Sequence, residues 1–426
     1  MSIRLLRTYW ILALLMLAGV VGVLAVGGRP DPSGPAWVLD GLWRFHPGDD
    51  PRWADPKTYD GDWEQIRLVS LASSHDLDVG LPGYLVGWRA RGHADLVGYG
   101  WYRRRVELPP NQELRLLGPT MVDDGYEMFW DGKRVGGSGT LGEGQKITGV
   151  RPFVVRLPRP GNAHSALLAV RTFMQPWPGR DTQSGGLRSV PTLAVASFGE
   201  QLHRAQWWRS IAGYVVEVAL PVMMVLLAGI AIIQARSTAR PGFARWLSIA
   251  LTATALLRLG NAVSAWTELL DVTLIYWVNT ILLSPLAMLS WTAAWNDWAK
   301  GRGRRGVLAI ALVASVARVI AATAHADALI PVVRLLFVGL FAVIAIRVWM
   351  HGERRWLALG TLSVIAVALF VNELRQLGIP DIWFPFNIGV TLTQYAYAIA
   401  LPLLAWLLVD PRQRHAPRGP ATIAAS

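Results

Sequence analysis

The stretch Ile211–Ile233, IAGYVVEVALPVMMVLLAGIAII, holds one acid, Glu217, and no base in an otherwise apolar run. A helix rising about 1.5 Å per residue needs about 20 mostly apolar residues to cross a hydrocarbon core about 30 Å thick, and this run meets that need. Six more runs of the same kind follow, approximately Trp246–Trp266, Thr273–Trp295, Val307–Thr323, Ala328–Trp349, Trp356–Asn372 and Ile388–Val409. One further run, Trp10–Val26, stands alone near the N-terminus, separated from the rest by a long polar stretch. One span, a water-soluble region and then seven spans describe a membrane protein holding a folded domain on one side of a bilayer.

The formal charge is +12, and the position of that excess predicts the orientation. The region Arg29–Arg204 holds 21 basic and 20 acidic residues and is nearly neutral. The surplus flanks the spans. Arg4 and Arg7 precede the first; Arg236, Arg240 and Arg245 follow the second; Lys300, Arg302, Arg304 and Arg305 follow the fourth. Arg354 and Arg355 follow the sixth, and Arg412, Arg414 and Arg418 follow the last, whereas the intervening loops carry Glu268, Asp271, Asp327 and Asp381. With simple alternation every basic loop falls on one side, which the positive-inside rule assigns to the cytoplasm. The soluble domain is therefore expected outside and the C-terminus inside. Charge spread over short loops is not a nucleic-acid footprint, so no nucleic-acid partner is expected. Trp266, Trp277 and Trp383 are expected as interfacial anchors at the outer ends, and Trp246, Trp295, Trp298, Trp349, Trp356 and Trp406 at the inner ends.

Residues 1–28 admit two readings. Arg4 and Arg7, an apolar run and Val23-Leu24-Ala25 match a signal peptide with a small-residue cleavage site. The run is also long enough to remain as an anchor, and the sequence alone leans towards the signal peptide. The chain has no cysteine, so an exported domain must be held by its core without disulfides.

From Trp37 to about Ala196 the sequence turns to short alternating segments punctuated by Gly, Pro and Asp. Val106–Leu108, Leu114–Leu116, Glu127–Trp130, Phe153–Val155 and Leu167–Val170 read as strands, and Asp131-Gly132 as a hairpin turn that tolerates positive φ. Many short strands with such punctuation predict a β-sandwich. The expected organisation is multidomain, α and β: an extracytoplasmic domain over 29–200, a seven-helix transmembrane bundle over 207–409 and a short polar tail over 410–426.

An ordered set of motifs runs through the soluble region: Leu42-Trp43-Arg44-Phe45-His46-Pro47-Gly48-Asp49-Asp50, Asp62-Trp63, Gly100-Trp101-Tyr102-Arg103-Arg104, and Asp124 through Gly136. With the seven spans behind it, this order resembles the bacterial seven-transmembrane receptors with diverse intracellular signalling modules. It is also similar to the sugar-binding jelly roll of family 2 glycoside hydrolases. Asp131 stands where Asn is usual in that pattern. The resemblance implies a jelly-roll (galactose-binding-like) outer domain, an inner-membrane location in a bacterium, and a receptor role. Relatives of that kind continue into an enzymatic output module, whereas the tail after Asp410 is too short and polar to fold into one, so a separately encoded cytoplasmic signalling partner is expected.

Candidate ligand contacts in the outer domain are Trp101, Arg103, Asp123 and Asp124, with Trp177 and Arg180 in the loop Pro176–Asp181. Guanidinium and carboxylate groups can hold a polyhydroxylated ligand through paired hydrogen bonds, and an exposed aromatic can stack on a sugar. The competing reading makes the strand aromatics core and the charges turn caps or ion pairs. Within the spans, Glu217, Arg258, Arg318, Arg334, Glu373 and Arg375 are ionisable, with Asn261 one turn from Arg258. A charge near a bilayer centre costs at least about 2.5 kcal/mol, so these groups should face inward and pair. The partner of Arg258 is expected to be Glu217 or Glu373, with Glu217, one span earlier, preferred. The network either lines a polar cavity open to the outside, suited to an anionic or neutral ligand, or is structural. Pro221, Pro285, Pro331 and Pro402 fall within spans and permit kinks.

No phosphate-binding Gly loop, zinc-type His cluster or Gly-x-Ser-x-Gly elbow is present, so neither enzyme, cofactor nor metal is expected. Three functions remain. The first is a sensor that binds an envelope-derived or carbohydrate-like ligand outside and signals to a cytoplasmic partner. The second is a transporter or channel-like subunit. The third is a membrane-anchored carbohydrate-binding protein without output.

Overall fold

The computed structural model describes residues 2–29, 31–70, 74, 83–110, 112–158, 164–177, 182–236, 238, 240–299, 303–351 and 354–408. Arg180 with its loop Pro178–Asp181, the tail 410–426, Lys300 and Arg302 lie outside the described residues.

The N-terminal half is built of antiparallel β-sheet. A six-stranded sheet runs in the order Glu64–Leu68, Gly41–Pro47, Gly98–Glu107, Ser165–Met174, Gly125–Trp130, Lys133–Gly137. A four-stranded sheet runs Ala36–Val38, Thr192–Val195, Leu114–Leu117, Val154–Arg156. Asp131 and Gly132 take φ of 45° and 82°, closing the turn in which Trp130 faces Lys133. Two successive left-handed residues match the twist of the flanking strands, which explains the Asp-Gly pair at this point.

Side chains alternate between faces along a strand. In Gly98–Glu107 this sends Tyr102 and Val106 into the core between the sheets, with Phe45, Met128, Leu168 and Val170 from the same sheet and Leu114, Leu116 and Leu193 from the other. Each such side chain contributes about 1.5–3 kcal/mol on burial. The opposite face of the large sheet is covered by an aromatic cluster of Trp63 and Trp101 with Trp53 and Phe129.

The last strand runs directly into a helix: Val195 ends the strand and Ala196 starts α2 (Ala196–Tyr214). Phe198 of α2 packs on Leu117 and Ala194, and Arg115 donates to Glu200 at 2.9 Å. Before it in the chain stands α1 (Ser2–Gly27), and after it come α3 (Val216–Gln234), α4 (Pro241–Trp266), α5 (Val272–Trp277), α6 (Ser284–Ala299) and α7 (Arg304–Thr323). The chain ends in α8 (Leu329–His351), α9 (Arg355–Leu369), α10 (Val371–Gln376) and α11 (Leu392–Leu408). A π-helical turn over Val278–Leu283 joins α5 to α6.

Among the described residues six helices or continuous pairs are long and apolar enough to cross a membrane: Arg7–Gly27, Ala196–Gln234, Pro241–Trp266, Val272–Ala299, Arg304–Thr323 and Leu329–Met350. The last two expected spans are shorter helices, 15 residues for α9 and 17 for α11. The backbone breaks after α9 at Phe370, and Val390–Thr391, expected near the start of the final span, instead pair with Ile382–Trp383 in a small antiparallel ladder.

The isolated first segment is a helix packed on the others. Tyr9 is buried in the bundle core and Leu24 against Ala212 and Ile388. A Cβ on Gly27 would stand 2.2 Å from that of Ala212, so this contact requires glycine. Trp349, Trp356, Trp383 and Trp406 are exposed as anchors would be. Trp295 and Trp298 are not: they are core residues, 0% and 5% exposed, with edge contacts to Phe243. The difference lies in helix packing, since small residues around them (Ala244, Ala294, Ala299) leave room for large rings inside the bundle.

Candidate functional site

The sheet domain rests on the segment linking α4 to α5. Arg151 pairs with Glu268, the Ile147 amide donates to Asp271 Oδ2 at 3.1 Å, and Gln175 Nε2 donates to Thr273 Oγ1 at 2.8 Å. The Trp177 and Tyr276 rings stack at 4.2 Å with planes 1° apart. Asp271 also caps α5 by accepting from the Thr273 amide at 2.7 Å, so one carboxylate starts the helix and holds the sheet domain. Gly149 meets α4 so closely that a Cβ would lie 2.1 Å from the Ser264 carbonyl oxygen.

Beside this contact a cavity of about 660 Å³ opens between the two halves of the molecule. The sheet domain lines it with Thr120, Asp123, Asp124, Arg188 and Ser189; α2 adds Gln206, Arg209 and Tyr214, and α4 adds Asn261 and Ser264. Asp123 Oδ2 accepts from Arg188 Nη1 and from the Gly185 amide, both at 2.7 Å. Arg188 Nε donates to the Leu85 carbonyl at 2.8 Å, and its guanidinium lies 4.2 Å from the centre of the Tyr84 ring. Asp124 Oδ2 accepts from the Gln175 amide at 2.8 Å, which ties the rim of the cavity to the loop carrying Trp177. Ser189 Oγ accepts from the Thr120 and Met121 amides at 2.8 and 3.0 Å. Across the cavity Arg209 pairs with Asp31 at 3.0 Å. Hydroxyls, amides and braced ion pairs in a volume of this size suit a small, hydrogen-bonding ligand.

The adjacent Asp123 and Asp124, and Asn261 far from them in the chain, are thus brought to one cavity. Trp101 and Arg103 are not part of it. Trp101 is fully buried, stacks on Phe129 and donates from Nε1 to Asp49 Oδ1 at 3.0 Å. Arg103 is 1% exposed, pairs with Asp60 at 3.0 Å and donates to the Thr58 and Asp55 carbonyls. Burial pushes its pKa down, and Asp60 opposes that shift. Their strand position explains this: both lie on the face opposite Tyr102, under the aromatic cluster. Next to them Arg171 bridges Asp49 and Glu127 at 2.5 and 3.0 Å. Burial works against that guanidinium's charge, and the two carboxylates overcome it and raise its pKa.

The ionisable residues of the bundle form two separate groups. In the first, Arg258 donates to Glu217, and Gln394 Nε2 donates to the same Glu217 oxygen at 2.5 Å, joining α4 and α11 to α3. In the second, Arg334 Nε and Nη2 hold Glu373 in a two-bond fork at 2.5 and 2.7 Å, and Nη2 also donates to the Leu369 carbonyl freed by the helix break. Arg318 lies within electrostatic reach of Arg334, Glu373 and Tyr276. Arg375 departs from the expected network: its side chain is 46% exposed and stands 3.7 Å from Asp381, beyond the break at Phe370. Gln394, Arg188 and Arg209 were not singled out from sequence. Gln394 carries a signal in being a polar group within an apolar span; Arg188 resembles any other arginine of a nearly neutral domain, and Arg209 stands unmarked just ahead of the apolar run that opens at Ile211.

Among the described residues no group of three or more His, Cys, Asp or Glu side chains could hold a metal ion. No protein-family profile and no curated protein matches this chain. Solved structures do match. A beta-glucuronidase from Bacteroides uniformis shares 21% identity at a TM-score of 0.27, covering 37% of this chain and 17% of that chain. A glycosyl hydrolase family 2 member from Bacteroides cellulosilyticus shares 15% at 0.27, covering 38% and 21%. A beta-glucuronidase from Faecalibacterium prausnitzii shares 18% at 0.26, covering 39% and 33%. This chain therefore spans a third or less of the length of those chains, and likeness of this size carries no conclusion about fold or activity.

Proposed function

We propose that this protein is a membrane receptor whose ligand occupies the cavity between the sheet domain and the helices. One observation carries the reading: the cavity is lined by both halves of the molecule. A ligand that touches Asp124 and Ser189 on one side and Asn261 and Ser264 on the other has a different affinity for each relative position of the halves, and only such a ligand can shift their equilibrium. The direct passage from the strand Thr192–Val195 into α2 supports transmission, since no flexible linker absorbs a shift. In this reading the sheet domain is a jelly roll facing the outside of a bacterial inner membrane. α9 with α10, and α11, complete seven spans behind a retained α1, as in the seven-transmembrane receptors that the motifs resemble. The output passes to a separately encoded cytoplasmic protein. The role in this reading is binding: both rim carboxylates are held by backbone amides or Arg188, which fixes their oxygens to orient a ligand. A small polyhydroxylated compound of the cell envelope matches the lining.

The test is a thermal-shift screen of envelope-derived sugars against the full chain in lipid nanodiscs, repeated with Ser264→Phe, which fills the cavity from the helix side. A compound that stabilises the natural chain and not Ser264→Phe supports the reading. A compound that stabilises both equally binds elsewhere and refutes it.

A further inference from the structure

α1 and α11 both pack on α3, and between them runs a groove of about 430 Å³. α1 lines it from Tyr9 to Leu24, α3 with Ala219 and Met223, and α11 from Gln394 to Pro402. At about 1.5 Å per residue that stretch of α1 is about 22 Å long, which exceeds one leaflet of a hydrocarbon core about 30 Å thick. Leu14 and Leu17 belong to the lining and are 65% and 60% exposed, so the groove opens sideways, towards the hydrocarbon that α1 is long and apolar enough to cross. Its outer end is covered. Pro385 and Phe386 line it there, Gly28 lies so close to the Phe386 carbonyl that no Cβ would fit, and Asn387 Nδ2 donates to the Gly28 carbonyl at 3.2 Å. Phe386 and Asn387 hold left-handed φ of 54° and 59° in making this contact.

Among the described residues no Asp, Glu, Lys or Arg lines the groove. Its most polar group is the Gln394 amide, 2% exposed, beside Tyr395. Gln394 Oε1 accepts from the Thr391 amide at 2.8 Å, and Nε2 donates to Glu217 at 2.5 Å. An amide nitrogen carries two N–H donors, so one is left for an acceptor, and a buried donor left unmade is costly. A charged headgroup finds neither room beneath Pro385–Phe386 nor a partner in the lining, and an ordinary acyl chain fills one leaflet only. The complement of this groove is one long hydrocarbon chain ending in a small uncharged head that accepts a hydrogen bond. We propose that the groove binds an isoprenoid quinone, with its tail along α1, a ring carbonyl accepting from Gln394, and the ring against Phe386 and Tyr395. The site goes beyond the receptor reading and does not depend on it; it requires only that α1 and α11 cross a membrane.

The experiment uses the full chain in phosphatidylcholine nanodiscs without addition, with ubiquinone, or with squalene, an isoprenoid chain without a head. The variants are Ala398→Trp, which fills the groove from α11, and Gln394→Leu, which removes the donor. Ile399→Trp is the control, since Ile399 is the next residue, is 54% exposed and is not part of the lining. Melting reads stabilisation, and native mass spectrometry reads the retained lipid. The expected result is retention of ubiquinone over squalene, with stabilisation, in the natural chain and in Ile399→Trp, and loss of both in Ala398→Trp. Gln394→Leu should retain about five-fold less ubiquinone, the factor that one hydrogen bond contributes. Because Gln394 also holds Glu217, that variant can fail to fold; the comparison of Ala398→Trp with Ile399→Trp then decides alone. Equal ubiquinone retention in those two variants overturns the proposal. Squalene retained as well as ubiquinone also overturns it, because the groove would then take any chain and the head would contribute nothing.

Discussion

Replacing Arg258 by Ala removes the guanidinium that donates to Glu217 from across the α3–α4 contact. The Glu217 side chain is 4% exposed, against 24% for Arg258, so the carboxylate left behind has little access to water. Gln394 still donates to it at 2.5 Å but brings no charge. Removing one partner of a buried pair costs about 3–5 kcal/mol, because the other charge stays buried. At about 2–4 °C per kcal/mol for a unit of this size, melting in detergent should fall by roughly 6–20 °C. Adding Glu217→Gln to Arg258→Ala removes the stranded charge and leaves an amide that can pair with Gln394, so the double variant should recover most of that loss. Arg375→Ala serves as contrast. Its partner Asp381 is 3.7 Å away and its side chain 46% exposed, so its effect should stay within about 1 kcal/mol. Equal melting of Arg258→Ala and the natural chain would refute the argument, since the pair would then be solvated. So would a double variant no more stable than Arg258→Ala, since Glu217 would then not be the charge left unpaired.

Gly149→Val places a Cβ about where the Ser264 carbonyl stands and should lift the sheet domain off α4. In this cysteine-free chain a short thiol-specific bifunctional reagent should bridge a Gln175→Cys, Thr273→Cys pair, and adding Gly149→Val should abolish the cross-link. Burial raises the pKa of Tyr102 and Tyr126 above the ordinary 10.0, so their neutral forms belong to the fold. Their contribution is full below about pH 10 and is lost as the pH rises towards the folded values, because the unfolded chain releases the protons first. Near-ultraviolet circular dichroism should show alkaline unfolding that Tyr102→Phe makes shallower. Intact-mass measurement of the purified protein should include α1, whose Tyr9 and Leu24 are buried against other helices; a mass lacking residues 1–28 would instead support the signal-peptide reading.

Hydropathy alone placed most of the helices, because a segment that leaves water must satisfy its own backbone and so declares itself by length and apolarity. The Asp131-Gly132 turn and the strands around it were legible for a similar local reason: left-handed backbone and alternation are properties of a few adjacent residues. Scarcity of acids narrowed the partner of Arg258 to Glu217 or Glu373 and adjacency of spans favoured Glu217, but the structure made the choice. Tertiary structure decided the rest. Whether Trp101 and Arg103 face a ligand or a covering cluster depends on which side of the sheet the segment Pro51–Trp63 lies, and strand periodicity is the same for both. Trp295 and Trp298 are core because their face of α6 meets Phe243 of α4, and which face of a helix meets a neighbour is not recorded along that helix alone. The cavity is the extreme case. Asp124, Arg188, Arg209 and Asn261 belong to four separate segments, and only the seating of the sheet domain on Asp271, Thr273 and Tyr276 brings them around one space.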